Sequence, residues 1–443
     1  MADLSKIAKS KGIEYFLISF VDLFGVLRAK LVPARAIKEM QGEGAGFAGF
    51  AAWLDMTPAH PDMFGVPDPD SLIQIPWQPE IGWLAADLWM DGEEVAASPR
   101  VALKNQLKAA TKKGYRVKTG VECEYFLTNT DGTALSDLKD TQSKPCYDQQ
   151  ALMRRYPVIK AICDSMLELK WGPYQNDHED ANGQFEMNWD YDDALKTADR
   201  HVFFKYMVKT LAEQHEIRAT FMPKPFADLT GNGCHAHVSV WNKEGAKNLF
   251  LDKKDKQELG LSKLAYEFLG GIIHNAEALT ALFNPTVNSY KRINGALTRS
   301  GATWSPNTVT YSGNNRTHMI RVPDDGRFEL RLMDGAANPY LMQAGIIAAG
   351  LDGVGNKRAP GKPHFNNMYA EPEKAKGAKK LPLNLLDAIR LLDKSKPLRE
   401  SLGDDLIDAY VKLRLQDWHA YTCLLYTSPS PRDLSTSRMP SSA

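Results

Sequence analysis

The sequence is poor in features that declare a chemistry at sight. Five cysteines stand in 443 residues (Cys123, Cys146, Cys163, Cys234 and Cys423), an odd number with no CxxC pair. That speaks against a disulfide framework and a thiolate zinc site, and fits a reducing compartment. No run approaches the roughly 18 apolar residues of a membrane span, and the opening MADLSKIAKSKGIEY has no apolar signal core. A cytoplasmic protein without membrane contact is expected. Neither sign of charge is in excess, since 54 Lys and Arg balance 54 Asp and Glu, which argues against a nucleic-acid partner held by phosphate contacts. GxxxxGK(S/T) and GxGxxG are both absent, so neither a Walker loop nor a dinucleotide fingerprint is on offer. No nucleophile elbow and no thiol–imidazole pair stands out.

What is present suits a multidomain globular chain, with 43% hydrophobic and 24% charged residues. IEYFLISFVD at 13–22 reads as a buried strand, and VLRAKLV beyond Gly25 as its hairpin partner. Residues 45–70, rich in Gly, Pro, Phe and Asp, read as purposeful loops. SLIQIPW and GWLAADLW read as strands, so residues 1–100 form a small, mostly β domain. A helix starts at Ser98 as N-cap with Pro99 in its first turn, and Gly114 stops it. Strands and helices alternate through 101–422, and 382–392 places Leu385, Leu386, Ile389 and Leu392 on one helical face. Ser and Pro fill nine of the last sixteen positions. Residues 423–443 are therefore expected to be a disordered, non-native tail, a vector or adapter translation joined to a truncated chain.

Four constellations carry chemistry. In Val121-Glu122-Cys123-Glu124-Tyr125, residues two apart share a strand face, so Glu122 and Glu124 project together. Adjacent carboxylates repel unless a cation separates them, and hard divalent ions favour such ligands; a solvated acidic face is the plain alternative. In His178-Glu179-Asp180-Ala181-Asn182-Gly183-Gln184-Phe185-Glu186, a bend at Gly183 can turn Glu179 and Glu186 onto one metal, or simply make an acidic surface turn. Gly231-Asn232-Gly233-Cys234-His235-Ala236-His237-Val238-Ser239 couples a Gly-rich loop to a strand with His235, His237 and Ser239 on one face. One His beside several Glu suits Mg²⁺ or Mn²⁺; core histidines are the alternative. In Arg327-Phe328-Glu329-Leu330-Arg331-Leu332 the charged residues alternate with apolar ones, and Arg292, Arg316 and Arg321 lie upstream. Phosphoryl transfer needs such cations, although a salt-bridged surface would look similar.

These constellations, in this order, resemble the glutamine synthetase family over nearly the whole chain to about Thr422. The most specific stretches are Phe221–Pro225 (FMPKP), Asn284–Arg292 (NPTVNSYKR), Ala337–Tyr340 (ANPY) and Gly350–Gly353 (GLDG). The resemblance implies an α+β fold, with an N-terminal β-grasp domain and a catalytic domain whose curved antiparallel sheet is flanked by helices. It implies a homo-oligomer, a dodecamer of two stacked hexameric rings with shared sites, using ATP and two or more Mg²⁺ or Mn²⁺ ions. Carried over by motif, Glu124, Glu179 and Glu186 would hold one metal and Glu122, His235 and Glu329 the other. Arg292 and Arg331, with the Gly231 backbone, would clamp glutamate. Arg316, Arg321 and Arg327 would neutralise phosphate, Tyr191, His237 and Ser239 would line the nucleotide, and Asp62 would serve a neighbour's ammonium site. The implied reaction makes γ-glutamyl phosphate from glutamate and ATP, then glutamine by attack of ammonia. A related phosphotransferase is the competing class.

Two departures stand out. Between Arg292 and Arg316 there is no Asp or Glu, where the family carries a glutamate on a flap. Residues 370–409 contain no tyrosine, so adenylylation is not expected. The pattern is most similar to the type III, GlnT-like subgroup, whose relatives include γ-glutamylmethylamide synthetase, so methylamine is the alternative amine.

Overall fold

The computed structural model describes residues 2–427. Its N-terminal unit is one seven-stranded sheet. Tyr15–Val21 and Leu27–Pro33 form the expected hairpin, in register from Tyr15 opposite Pro33 to Val21 opposite Leu27. The turn is built by Asp22, whose Oδ1 accepts from the Phe24 and Val26 amides at 3.0 Å, with Gly25 at φ +84°. Tyr15–Val21 lies parallel to the long central strand Ile81–Met90, and Met63–Pro67 and Ala45–Phe47 follow on the far side. The helix Ile37–Glu43 covers this sheet, as in a β-grasp. Of SLIQIPW only Ile73–Gln74 is strand, because the chain turns at Pro76 towards Ile81.

The helix Pro99–Lys112 starts where expected, but the Ser98 side chain makes no capping hydrogen bond. Arg100 in its first turn does more. It is buried and ion-paired to Asp68 at 2.8 Å, Asp87 at 2.7 Å and Asp199 at 2.9 Å, which ties the N-terminal sheet to the helix Ala194–Gln214.

The unit beyond the N-terminal sheet carries two sheets. One has the order Asp192–Asp193, Tyr115–Cys123, Cys234–Asn242, Phe328–Leu330, Ile320–Arg321, Tyr311–Ser312; the other runs Pro173–His178, Gln184–Trp189, Tyr125–Thr128, Arg218–Thr220. Neighbours are antiparallel except the pair Tyr311–Ser312 and Ile320–Arg321. Helices Ala194–Gln214, Lys263–Phe283 and Pro339–Gly355 pack behind. The GLDG stretch belongs to this packing. A Cβ on Gly271 would lie 2.7 Å from the Gly353 Cα, and one on Gly353 would lie 2.1 Å from the Glu267 carbonyl, so two helix backbones touch there. Leu385–Asp393 is the expected helix, burying Leu385, Ile389 and Leu392, with Leu386 half-buried. The last helix is Asp404–Thr427, which runs past the expected boundary at 422; the rest of the expected tail, 428–443, lies outside the described residues. Among the described residues no helix is long and apolar enough to cross a membrane.

Candidate active site

Strand register brings the third and fourth constellations together with the first. His235 lies opposite Glu122, and His237 lies between Gly120 on one side and Glu329 on the other. Glu122, His235, His237 and Glu329 thus share one face. His237 Nε2 is 2.9 Å from Glu122 Oε1, and His235 Nδ1 is 3.7 Å from Glu122 and 3.5 Å from Glu329. Glu329 is fully buried and accepts from Arg331 Nη1 at 2.6 Å and Arg321 Nη1 at 2.8 Å. Burial alone would raise its carboxyl, but Arg331, His235 and His237 outweigh it and hold the group down at about 2. Glu122 is lowered likewise, its burial overcome by His235 and His237.

The second constellation is a hairpin, Pro173–His178 with Gln184–Trp189, bent through Gly183 at φ +72°. Its loop is fastened by Asp140, which receives His178 Nε2 at 2.7 Å, Asn182 Nδ2 at 2.8 Å and the Gly183 amide at 2.7 Å. Glu186 lies opposite Asp177, and oxygens of Asp177, Glu179 and Glu186 come within 4.8 Å of one another. Glu122, Glu186 and His235 form a second such group, and Glu122, His237 and Glu329 a third. Burial, then the neighbouring carboxylates, push Glu179 up to about 8 and raise Glu186 as well. Asp177, spaced two from Glu179 as Glu122 is from Glu124, completes the group in which Glu124 is expected. Glu124 sits at the junction of the two sheets, where its Oε2 accepts from the Gly233 amide at 2.7 Å and Gln184 Nε2 at 2.9 Å. Its Oε1 is 3.9 Å from His235 Nε2, a buried atom with no hydrogen-bond partner.

The glycine loop is where backbone and charge meet. A Cβ on Gly233 would lie 2.7 Å from His235 Nε2, 3.0 Å from Glu124 and 3.1 Å from Arg292; one on Gly231 would lie 2.3 Å from the Pro223 carbonyl and 3.1 Å from Arg292. The FMPKP and NPTVNSYKR stretches support this loop. Asn288 accepts from the Lys224 amide at 2.6 Å and donates to the Lys224 carbonyl at 3.0 Å. Thr286 and Ser289 form a capping box on Val287–Ile293, whose end carries buried Arg292. Arg292 Nη1 donates to the Leu332 carbonyl at 3.1 Å, and Arg331 Nε is buried without a partner. The Tyr369 hydroxyl, bonded to Thr303, lies in the field of both arginines.

Beside Glu122 opens a cavity of about 410 Å³ lined by Tyr191, His237, Ser239 and Arg327, together with Lys118 and Trp241. Lys118 Nζ stands 4.3 Å over the Trp241 ring. Arg327 Nη1 meets His237 Nδ1 at 2.5 Å and its other end pairs with Asp324. Arg321 Nε donates to Asn314 at 2.8 Å. Arg316 is exposed and lines a different depression with Asn314, Asn315, Trp304 and Phe365. Asp62 is exposed on the loop before Met63–Pro67 of the N-terminal sheet. The acid-free segment after Arg292 is held by an acid from elsewhere: Asp180 accepts from Ser300 and, at 2.8 Å, from Thr230. Asp177 was discoverable from its spacing. Lys118, Trp241, Asp180 and Tyr369 carry no local signal, because tertiary folding alone brings them near.

Three comparisons bear on this geometry. Residues 96–430 match the family model "Glutamine synthetase, catalytic domain". A "Glutamine synthetase" of Rhizobium leguminosarum bv. phaseoli is 62% identical over 95% of this chain and 96% of its own. A "Glutamate--methylamine ligase" of Methyloversatilis universalis is 42% identical over 95% and 96%. Among solved structures, "GmaS/ADP complex-Conformation 1" superposes with a TM-score of 0.93 at 60% identity, covering 99% of each chain.

Proposed function

The chain belongs to the glutamine synthetase family, and we propose that its carboxylate–imidazole cluster and buried arginines serve an ATP-dependent joining of an amine to the γ-carboxylate of glutamate. The enzyme is a glutamate–amine ligase, with ammonia as the amine of the main reading. The observation that carries the assignment of roles is the convergence of Glu122, Asp177, Glu179, Glu186, His235, His237 and Glu329 from five strands and a turn into overlapping groups. Carboxylates crowded enough to raise Glu179 and Glu186 call for cations, and a donor set of oxygens with imidazole fits Mg²⁺ or Mn²⁺. Glu124, Asp177, Glu179 and Glu186 would hold one ion, and Glu122, His235, His237 and Glu329 the other. When bound, such ions supply positive charge to the triphosphate and to the attacking carboxylate.

The chain's own groups do the remainder. Arg292 and Arg331 bind and orient glutamate beside the Gly231 and Gly233 backbone, which approaches closely because no Cβ intervenes. The cavity beside Glu122 takes ATP, with Tyr191 and Trp241 offering apolar faces to the base and Lys118, Arg321 and Arg327 offering charge to the phosphates. Arg316, linked to Arg321 through the Asn314 segment, adds to that charge. The γ-carboxylate oxygen attacks the terminal phosphorus and ADP leaves. The resulting acyl phosphate is attacked at carbon by the amine, and phosphate leaves. The segment held by Asp180 excludes water meanwhile. Asp62 of a neighbouring copy accepts the ammonium proton. That role requires a homo-oligomer, which we place as two stacked hexameric rings. The exposed Leu31, Phe50, Trp53 and Phe64 of the N-terminal unit favour such contacts. A cytoplasmic setting with no nucleic-acid or membrane partner suits small-molecule substrates.

Methylamine is the second reading, favoured by the acid-free segment and by the 42% identical methylamine ligase. Phosphate release with glutamate, ATP and each amine distinguishes them. Ammonia should give the higher kcat/KM, and a strong preference for methylamine would reverse the choice. Glu329→Ala should lower either turnover by about 10²-fold or more; unchanged turnover would remove the proposed roles.

A further inference from the structure

Behind the carboxylate face, the same two strands carry donors of another chemistry. Cys123 follows Glu122 and Cys234 precedes His235, so in the pleat both thiols turn to the opposite side of the sheet. The two cysteines are direct cross-strand partners. The Glu124 amide donates to the Gly233 carbonyl at 3.1 Å, which makes Cys123 and Cys234 a non-hydrogen-bonded pair, the kind whose side chains lie closest. His201 reaches them from the helix Ala194–Gln214, with Nε2 3.8 Å from Cys234 Sγ. One donor atom from each of the three falls within 4.8 Å of the others, and the residues are only 0%, 0% and 1% exposed.

Two features set this cluster apart from ordinary core thiols. His201 is buried and turns its Nε2 to the sulfurs, with Cys123 as well as Cys234 as a side-chain partner, so the ring's polar side-chain contacts in the core are with sulfur. The Cys234–His201 separation of 3.8 Å also suits two ligands of one ion. With zinc–sulfur and zinc–nitrogen bonds of about 2.3 and 2.05 Å, an S–Zn–N angle spans about 3.6 Å when tetrahedral and about 3.8 Å when trigonal.

We propose that Cys123, Cys234 and His201 bind one zinc-class divalent ion, at a structural site that clamps strands Tyr115–Cys123 and Cys234–Asn242 to the helix Ala194–Gln214. Two thiolates and a neutral imidazole cancel the ion's charge, the form that is least costly to bury. The thiol protons pass to solvent on binding, and nothing is oxidised or reduced. Thiolates select this ion over Mg²⁺, while the carboxylates on the other face prefer Mg²⁺, so each face of one sheet takes its own class of metal. The clamp holds the register in which Glu122 and His235 meet.

The test uses the full chain, stripped with chelator and reloaded with Co²⁺ in large excess of Mg²⁺. The expected result is about one cobalt per chain with a thiolate-to-cobalt charge-transfer band, bleached by Zn²⁺. The band should be lost in Cys123→Ser and Cys234→Ser and weakened or shifted in His201→Gln. Zn²⁺ should raise the melting temperature of the parent chain by several degrees. Serine variants that fail to fold leave the parent spectrum decisive. Folded, Mg²⁺-active protein showing no such band overturns the proposal, and so does a band that persists in both serine variants. A thiol count that falls by two on mild peroxide treatment of protein that takes up no cobalt also overturns it, in favour of a cross-strand disulfide.

Discussion

Glu179 and Glu186 show how single residues set the behaviour of the site. With Glu179 at about 8 in the fold against an ordinary 4.5, the folded, metal-free protein holds a proton that the unfolded chain releases. Stability from this group is therefore greatest below about 4.5, falls as pH rises, and levels off above about 8. Glu329, held at about 2, and Glu122, lowered too, act in the acid range and leave that window alone. Metal-stripped protein should melt lower at about pH 8 than at about pH 6, and Mg²⁺ should recover more at the higher pH. Equal recovery at both would mean that the carboxylates are not where the ion binds. Gly233 is a second such point. In Gly233→Ala the added Cβ meets His235, Glu124 and Arg292 at 2.7–3.1 Å, so kcat/KM should fall by about 10²-fold while the melting temperature shifts only slightly.

Among the elements, the hairpin Pro173–His178 with Gln184–Trp189 gathers Asp177, Glu179 and Glu186 into one group only because its loop is tied down. Asp140 is kept ionised below its ordinary range, its burial outweighed by hydrogen bonds from His178, Asn182 and Gly183. Asp140→Ala leaves those donors unpaired and should cost about 3 kcal/mol, with weaker Mg²⁺ binding read by calorimetry. Asp140→Asn should lie between. The segment between Arg292 and Arg316 behaves similarly. Its lack of acid is plain in the sequence, but that Ser300 and Thr230 meet on Asp180 is not. Asp180→Ala should raise amine-independent ATP hydrolysis relative to amine-dependent turnover, because the acyl phosphate is less well shielded. An unchanged ratio of the two rates would exclude Asp180 from that role.

The whole molecule hangs on contacts between units. Arg100 bridges Asp68 and Asp87 of the N-terminal sheet to Asp199 of the catalytic unit, and Tyr340 donates to the same Asp199 at 2.7 Å. Arg100→Ala would strand buried carboxylates and should destabilise by about 3–5 kcal/mol, measured by denaturant melting. The role proposed for exposed Asp62 is tested at the scale of an assembly. If one copy lends it to another, inactive Asp62→Ala and inactive Glu329→Ala chains, refolded together in equal amounts, should regain about a quarter of parental activity. No regain would place Asp62 outside the site.

Local rules read from the sequence alone were sufficient for the hairpin at Asp22, the helix from Pro99, the alternating faces of the chemistry-bearing strands and the bend at Gly183. Each follows from periodicity or backbone freedom within a few residues. The motif order was sufficient for the family, because the spaced carboxylates, glycines and arginines are covalent facts. Tertiary structure decided the rest. It added Asp177 to the carboxylate group of Glu179 and Glu186, set Arg316 apart from Arg327, and brought Lys118, Trp241 and Tyr369 to the site. It also gathered Cys123, Cys234 and His201, which lie 33 to 111 positions apart, in a chain whose lack of CxxC argued against thiolate ligands. The reason is physical: sequence spacing fixes which face of a strand a side chain takes, but cross-strand register and helix packing choose its neighbours, and those depend on the whole core.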